Sequence, residues 1–173
     1  MMKKYILLIL FVCTVFSLAA AEKVLFAPES MKDWCGAIRK TTVKNKVFDT
    51  GNDLFVLISG KSWKIDPAKT YRLSGDFKLK PYAPFGNIYF GLILLDHQGK
   101  EFRRLPVGRS PLNDRVVPNN KEQVRNFWLT FSGTVPSEAF KFPPQTAAVK
   151  VILNQFENYK VDMVFKNIRL IEE

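Results

Sequence analysis

Between Thr70 and Lys80 the sequence alternates. Tyr71, Leu73, Phe77 and Leu79 stand at one parity, and Arg72, Ser74, Asp76 and Lys78 at the other. A side-chain period of two means a β-strand with one face in a core and one in water. Any fold for this chain must accommodate that long, half-buried strand.

Its neighbours read the same way. Thr41 to Phe48 and Asp53 to Ser59 are rich in Val, Leu, Ile and Phe, and the pair Gly51-Asn52 between them suits a hairpin turn. Trp63 and Ile65 alternate with Lys64 until Asp66-Pro67 breaks the run. Asn87 to Leu95 is apolar at nearly every position, as in a central strand covered on both faces. Asp96-His97-Gln98-Gly99 then turns the chain back into Lys100 to Leu105. Pro106 to Glu122 reads as a long surface connection. Three further strands are expected at Arg125–Val135, Ala147–Gln155 and Lys160–Ile171, the last two joined by a turn at Glu157-Asn158. Only Pro28 to Ala37 has room for one or two helical turns, with Ser30 or Asp33 as the cap. Hydrophobic residues at 47% and charged residues at 24% exclude wholesale disorder. Many short strands without helical crossovers point to an all-β, antiparallel sandwich or barrel.

The first 21 residues stand apart. Lys3 and Lys4 precede an apolar run from Tyr5 to Leu18, and Ala19-Ala20-Ala21 follows. A basic start, an apolar stretch and a small-residue site are the parts of a secretory signal peptide. The apolar run is short for a membrane span, which needs about 20 residues. The expected organisation is a signal peptide over 1–21 and one domain over 22–173, secreted or periplasmic, with no membrane span after cleavage. Removing 21 of 173 residues leaves 152, and the loss of Lys3 and Lys4 takes the net charge from +10 to +8. Cys13 leaves with the leader, so Cys35 has no partner for an internal disulfide and reads as a small buried residue.

Catalysis finds little support. The single histidine, His97, sits in a turn pattern and reads as a solvated turn residue. Zinc needs several His or Cys ligands, and the mature chain has one of each. Asp76, Glu101, Asp114 and Glu122 are scattered rather than arranged as a glycosidase pair. The expectation is no enzyme and no catalytic residue.

Five segments in order carry a resemblance: Pro67 to Ser74, with its Lys69-Thr70-Tyr71-Arg72-Leu73-Ser74 strand entry; Ile88 to Gly99, an apolar strand ending in Asp-x-x-Gly; Trp128 to Pro136, ending Gly-Thr-Val-Pro; Ala148 to Leu153; and Phe165 to Leu170. Together they resemble the jelly-roll carbohydrate-binding modules appended to glycoside hydrolases, over most of Asp66 to Glu172. The resemblance implies a galactose-binding-like β-sandwich and a non-catalytic role in binding polysaccharide. It also implies a structural calcium held by acidic groups near the chain ends. Here Lys166 stands where the first aspartate would be. A cation there opposes an ion that takes about six to eight oxygen ligands. No cofactor and no metal are therefore expected, with Asp162 and Glu29 the remaining donors a calcium would draw on.

Sugar binding needs flat rings to stack on a pyranose face and polar groups to read its hydroxyls. Tyr82 and Phe85, in the proline-stiffened Pro81–Gly86 connection, are the first candidates. Trp63 and Tyr89 read first as core residues and second as rings on an open sheet face. Trp34 and Trp128 read as packing residues, and Tyr159 as an edge residue. Arg103 and Arg104, with Arg109 and Arg115 beyond them, are suited to carboxylates or sulfates. The expected partner is a polysaccharide or glycan, tilted by charge toward acidic ones. Export argues against nucleic acid, which would give the same charge signature. The alternative is a secreted protein-interaction or assembly domain of the same fold, binding other extracellular proteins and lacking a sugar site.

Overall fold

The computed structural model describes residues 22–36, 40–51, 53–80, 87–106, 127–137, 140–156 and 162–173. In chain order these form β1 (Lys23–Phe26), a 3-10 turn (Met31–Asp33), β2 (Trp34–Cys35), β3 (Thr42–Lys44), β4 (Val47–Asp49), β5 (Val56–Ser59) and β6 (Trp63–Lys64). There follow β7 (Tyr71–Leu79), β8 (Asn87–Leu95), β9 (Glu101–Pro106), β10 (Leu129–Val135), β11 (Ala148–Phe156) and β12 (Met163–Glu172). The first sheet has the order β10-β7-β12-β4-β3, with β1 also on β12. The second has the order β2-β5-β11-β8-β9, with β6 also on β11. The pairings are antiparallel. The chain is an all-β sandwich.

The alternating segment is β7, and its apolar parity is the inner face. Tyr71, Leu73, Phe77 and Leu79 are buried between the sheets, opposite Phe90, Leu92 and Leu94 of β8. Aromatic rings join the layers. Phe77 meets Phe90 edge-on at 5.1 Å, and Phe48 stacks on Phe165 at 4.9 Å. Trp34 stands edge-on to both Phe48 and Phe165 at 6.3 Å, so it plugs the core as expected. Each such ring, removed from water, stabilises the fold by about 1.5–3 kcal/mol before ordering costs. The short helical turn is also present. The Ser30 hydroxyl accepts from the Lys32 N–H at 3.2 Å, and the Asp33 carboxylate accepts from the Ser30 N–H at 2.9 Å, closing a capping box.

Three expectations change. The hairpin turn is not at Gly51-Asn52; it lies at Asn45-Lys46, joining β3 to β4, while β5 belongs to the other sheet. Both turn residues have positive φ, 51° and 61°, the two-residue geometry that matches strand twist and favours Asn. The polar run Lys44-Asn45-Lys46 marks it but contains neither glycine nor proline. Cys35 is exposed rather than buried, because Trp34 takes the inward parity of β2. Trp128 lies outside the core cluster, at the outward parity of β10.

β12 carries a bulge. Lys166 registers with Asp76 and Arg169 with Ser74, so Asn167 and Ile168 together oppose Gly75. Asn167 takes φ 53°, a conformation asparagine tolerates, and Ile168 turns inward to 2% exposure. The bulge aims Asn167 and Arg169 at the outer face of the first sheet.

Candidate functional site

The outer face of the second sheet is built from the parities that β5, β8, β9 and β11 leave unused by the core. On β8 these are Tyr89, Gly91, Ile93 and Leu95; on β11, Ala148, Lys150, Ile152 and Asn154. Ile93, Leu95 and Ile152 form a second apolar cluster there, flanked by Ile58 and Tyr89. Near-continuous apolarity in β8 thus comes from two cores, as the sequence predicted for a strand covered on both faces.

Tyr89 is the aromatic member of this face among the described side chains. A Cβ on Gly91 would come within 2.9 Å of the Tyr89 ring, so the ring lies along the strand over the glycine. Burial pushes its phenol well above the ordinary range. The Arg104 charge opposes that shift, Glu101 adds to it, and Arg103 opposes it. Tyr89 registers with Asn154, which is 8% exposed. The Asn154 amide donates to the Gln155 carbonyl at 3.0 Å, while its Oδ1 accepts from no group among the described residues. Arg104 registers with Ile93 and donates from Nε to Glu101 at 2.7 Å. The irregular register near Leu94 and Leu95 puts Glu101 on the same face as Arg104.

The candidate residues fall in different places. Tyr89 and Arg104 share this face. Arg103 registers with Leu94, so it leaves the strand on the other side. Trp63 registers with the buried Val149 and packs at 5.1 Å from Phe26. It lines a groove of about 430 Å³ with Lys32, Asp33 and Lys61, at the sandwich edge. Tyr82, Phe85, Arg109, Arg115, Tyr159 and the turn at Glu157-Asn158 lie outside the described residues. Asn154 went unread in the sequence, although a polar residue interrupting the apolar run Val151-Ile152-Leu153 was a signal. His97 is exposed in its turn, where the Asp96 carboxylate accepts from the Gln98 and Lys100 N–H groups at 2.9 Å each.

The donors a structural calcium would draw on do not fit one. Asp162 is held by Lys80 at 2.9 Å, Glu29 by Lys46, and the Lys166 ammonium lies 4.3 Å above the Trp128 ring. Asp162 and Glu29 each face a lysine, and no three acidic, His or Cys side chains converge among the described residues.

No family model matches the chain, and no curated protein matches it in sequence. Solved structures match its fold. The CBM22-1–GH10 modules of Clostridium thermocellum xylanase 10B, complexed with xylohexaose, superpose with TM-score 0.52 at 15% identity. That match covers 88% of this chain and 28% of that one. The CBM22-1 xylan-binding domain of Paenibacillus barcinonensis Xyn10C matches with TM-score 0.46 at 14% identity, covering 88% and 96%. A CBM4 structure matches with TM-score 0.47 at 12% identity, covering 78% and 76%. The fold is the jelly-roll β-sandwich of carbohydrate-binding modules.

Proposed function

We propose that this chain is an exported, non-catalytic module that binds polysaccharide on the outer face of its second sheet. The observation that carries the reading is the partly exposed Tyr89 ring, set along β8 over Gly91 on that face. A ring fixed on a strand offers a stacking surface at little ordering cost. Arg104 and Lys150, both in register with Ile93 further along the same face, supply cations for uronate or sulfate groups. The basic balance of the whole chain supports the tilt toward acidic polysaccharides. Tyr82 and Phe85 would add rings from the connection entering β8.

A glycan array probed with the protein tests this reading. Retention on xylan-type or acidic polysaccharide spots supports it, and absence of glycan retention alongside tight capture of an extracellular protein favours an assembly domain. Incubation with the same glycans checks the non-catalytic part, with no shortened product expected. N-terminal sequencing of exported protein should begin at Glu22.

A further inference from the structure

The outer face of the first sheet holds a groove of about 500 Å³ over the β12 bulge. That volume lies within the range of small-ligand sites. Ser74 and Asp76 of β7, Thr130 of β10, and Asn167 and Arg169 of β12 line it. All five stand on strands rather than loops, which fixes their spacing.

Asp76 organises the groove. One carboxylate oxygen accepts from Thr130 Oγ1 at 2.6 Å and the other from Asn167 Nδ2 at 2.6 Å. Both donors are neutral, so the charge is oriented without being compensated. The cross-strand cation in register, Lys166, lies over the Trp128 ring. Arg169 makes no ion pair among the described residues. Each Asp76 oxygen keeps a lone pair for another donor, and the Arg169 guanidinium keeps its donors for an acceptor.

The lining identifies the ligand class. Its two cations, Lys46 and Arg169, balance its two carboxylates, Glu29 and Asp76, in a chain of net charge +10. A polyanion gains nothing from a neutral groove. A metal ion would find one uncommitted carboxylate, since Glu29 is paired with Lys46. A held carboxylate acceptor, a guanidinium donor and the Ser74 hydroxyl on one floor suit adjacent hydroxyls that each donate and accept. The wall of Ala27 and Pro28 offers an apolar surface for ring C–H groups. We infer that this groove is a second saccharide site that takes neutral sugar residues through vicinal hydroxyls. The inference rests on the carbohydrate-binding reading for its ligand class but uses the opposite sheet.

The test is amide NMR of the ¹⁵N-labelled protein titrated with xylohexaose, cellohexaose and mannohexaose, each in wild type, Tyr89→Ala and Arg169→Ala. Arg169 is exposed, so its truncation should leave the fold intact; Asp76→Asn is the second groove variant. The expected result is saturable shifts at Ser74, Asp76, Thr130 and Asn167 with at least one hexasaccharide. They should persist in Tyr89→Ala and weaken about tenfold in Arg169→Ala. Shifts on the first sheet alone would support this site and overturn the Tyr89 face. Shifts around Tyr89 and Asn154 alone would overturn this site and leave the other standing. No saturable shift on either sheet would overturn this site, and retention on acidic glycans would then decide the Tyr89 face separately.

Discussion

The Ile168 Cδ1 atom lies 2.4 Å from where a Cβ on Gly75 would stand. The bulge in β12 and the glycine in β7 are therefore one device. The extra residue needs somewhere to put a side chain, and the missing side chain opposite provides it. The Phe77 ring, 3.1 Å from the same point, closes the remaining space. Gly75→Ala should destabilise the protein by about 1–3 kcal/mol, the scale of overpacking in a filled core. Ile168→Val removes the colliding methyl, so the double variant should be less destabilised than the sum of the single ones. Urea denaturation of all three measures the coupling, and strict additivity would show that the two residues do not share this space.

Lys80 bridges Asp49 at 2.7 Å and Asp162 at 2.9 Å, tying the ends of β7 and β4 to the start of β12. Burial works against its charge, but the hydrogen bonds and charges of Asp49 and Asp162 outweigh burial and raise its pKa above the ordinary lysine value of 10.5. A raised pKa means stability that is complete below the ordinary value and lost as pH climbs through the raised one. Lys80→Met should lower stability at pH 7 by up to about 1 kcal/mol. It should also flatten the fall in melting temperature that the wild type shows above about pH 10.5. Thermal unfolding followed across that window checks the sign; an unchanged alkaline slope would remove Lys80 from the account.

Arg103 and Arg104 are adjacent in sequence and opposite in space. Arg104→Ala should weaken binding of a galacturonate hexamer, more at low salt than high, because an exposed charge is screened. Arg103→Ala should change it less at every salt concentration. Calorimetry at two ionic strengths separates the two, and a larger loss from Arg103→Ala would move the site to the other side of β9.

The sandwich was legible because its longest strands state their own faces. In β7 the inner parity reads directly from Tyr71, Leu73, Phe77 and Leu79, and in β8 the doubly covered position reads from unbroken apolarity. The Asn45-Lys46 turn was less legible, because its polar run contains neither glycine nor proline. The candidate sites were harder still. Period two puts Arg103 and Arg104 on different faces, yet two arginines in a row look like one patch. Trp63 and Tyr89 share a residue class but not a sheet face, and only the pairing of β6 and β8 with β11 separates them. Asp76 reads as a surface charge until Thr130 and Asn167 arrive beside it from 54 and 91 residues away.

Calorimetric titration of xylohexaose and a galacturonate hexamer into wild type and Tyr89→Ala tests the Tyr89 face directly. Saturable binding of at least one of these by the wild type is expected. In Tyr89→Ala, with the fold intact by thermal unfolding, binding to the second sheet should weaken by roughly 1–3 kcal/mol, the cost of losing an anchoring ring. A folded Tyr89→Ala protein that binds both hexamers as the wild type does would contradict a binding site on that face.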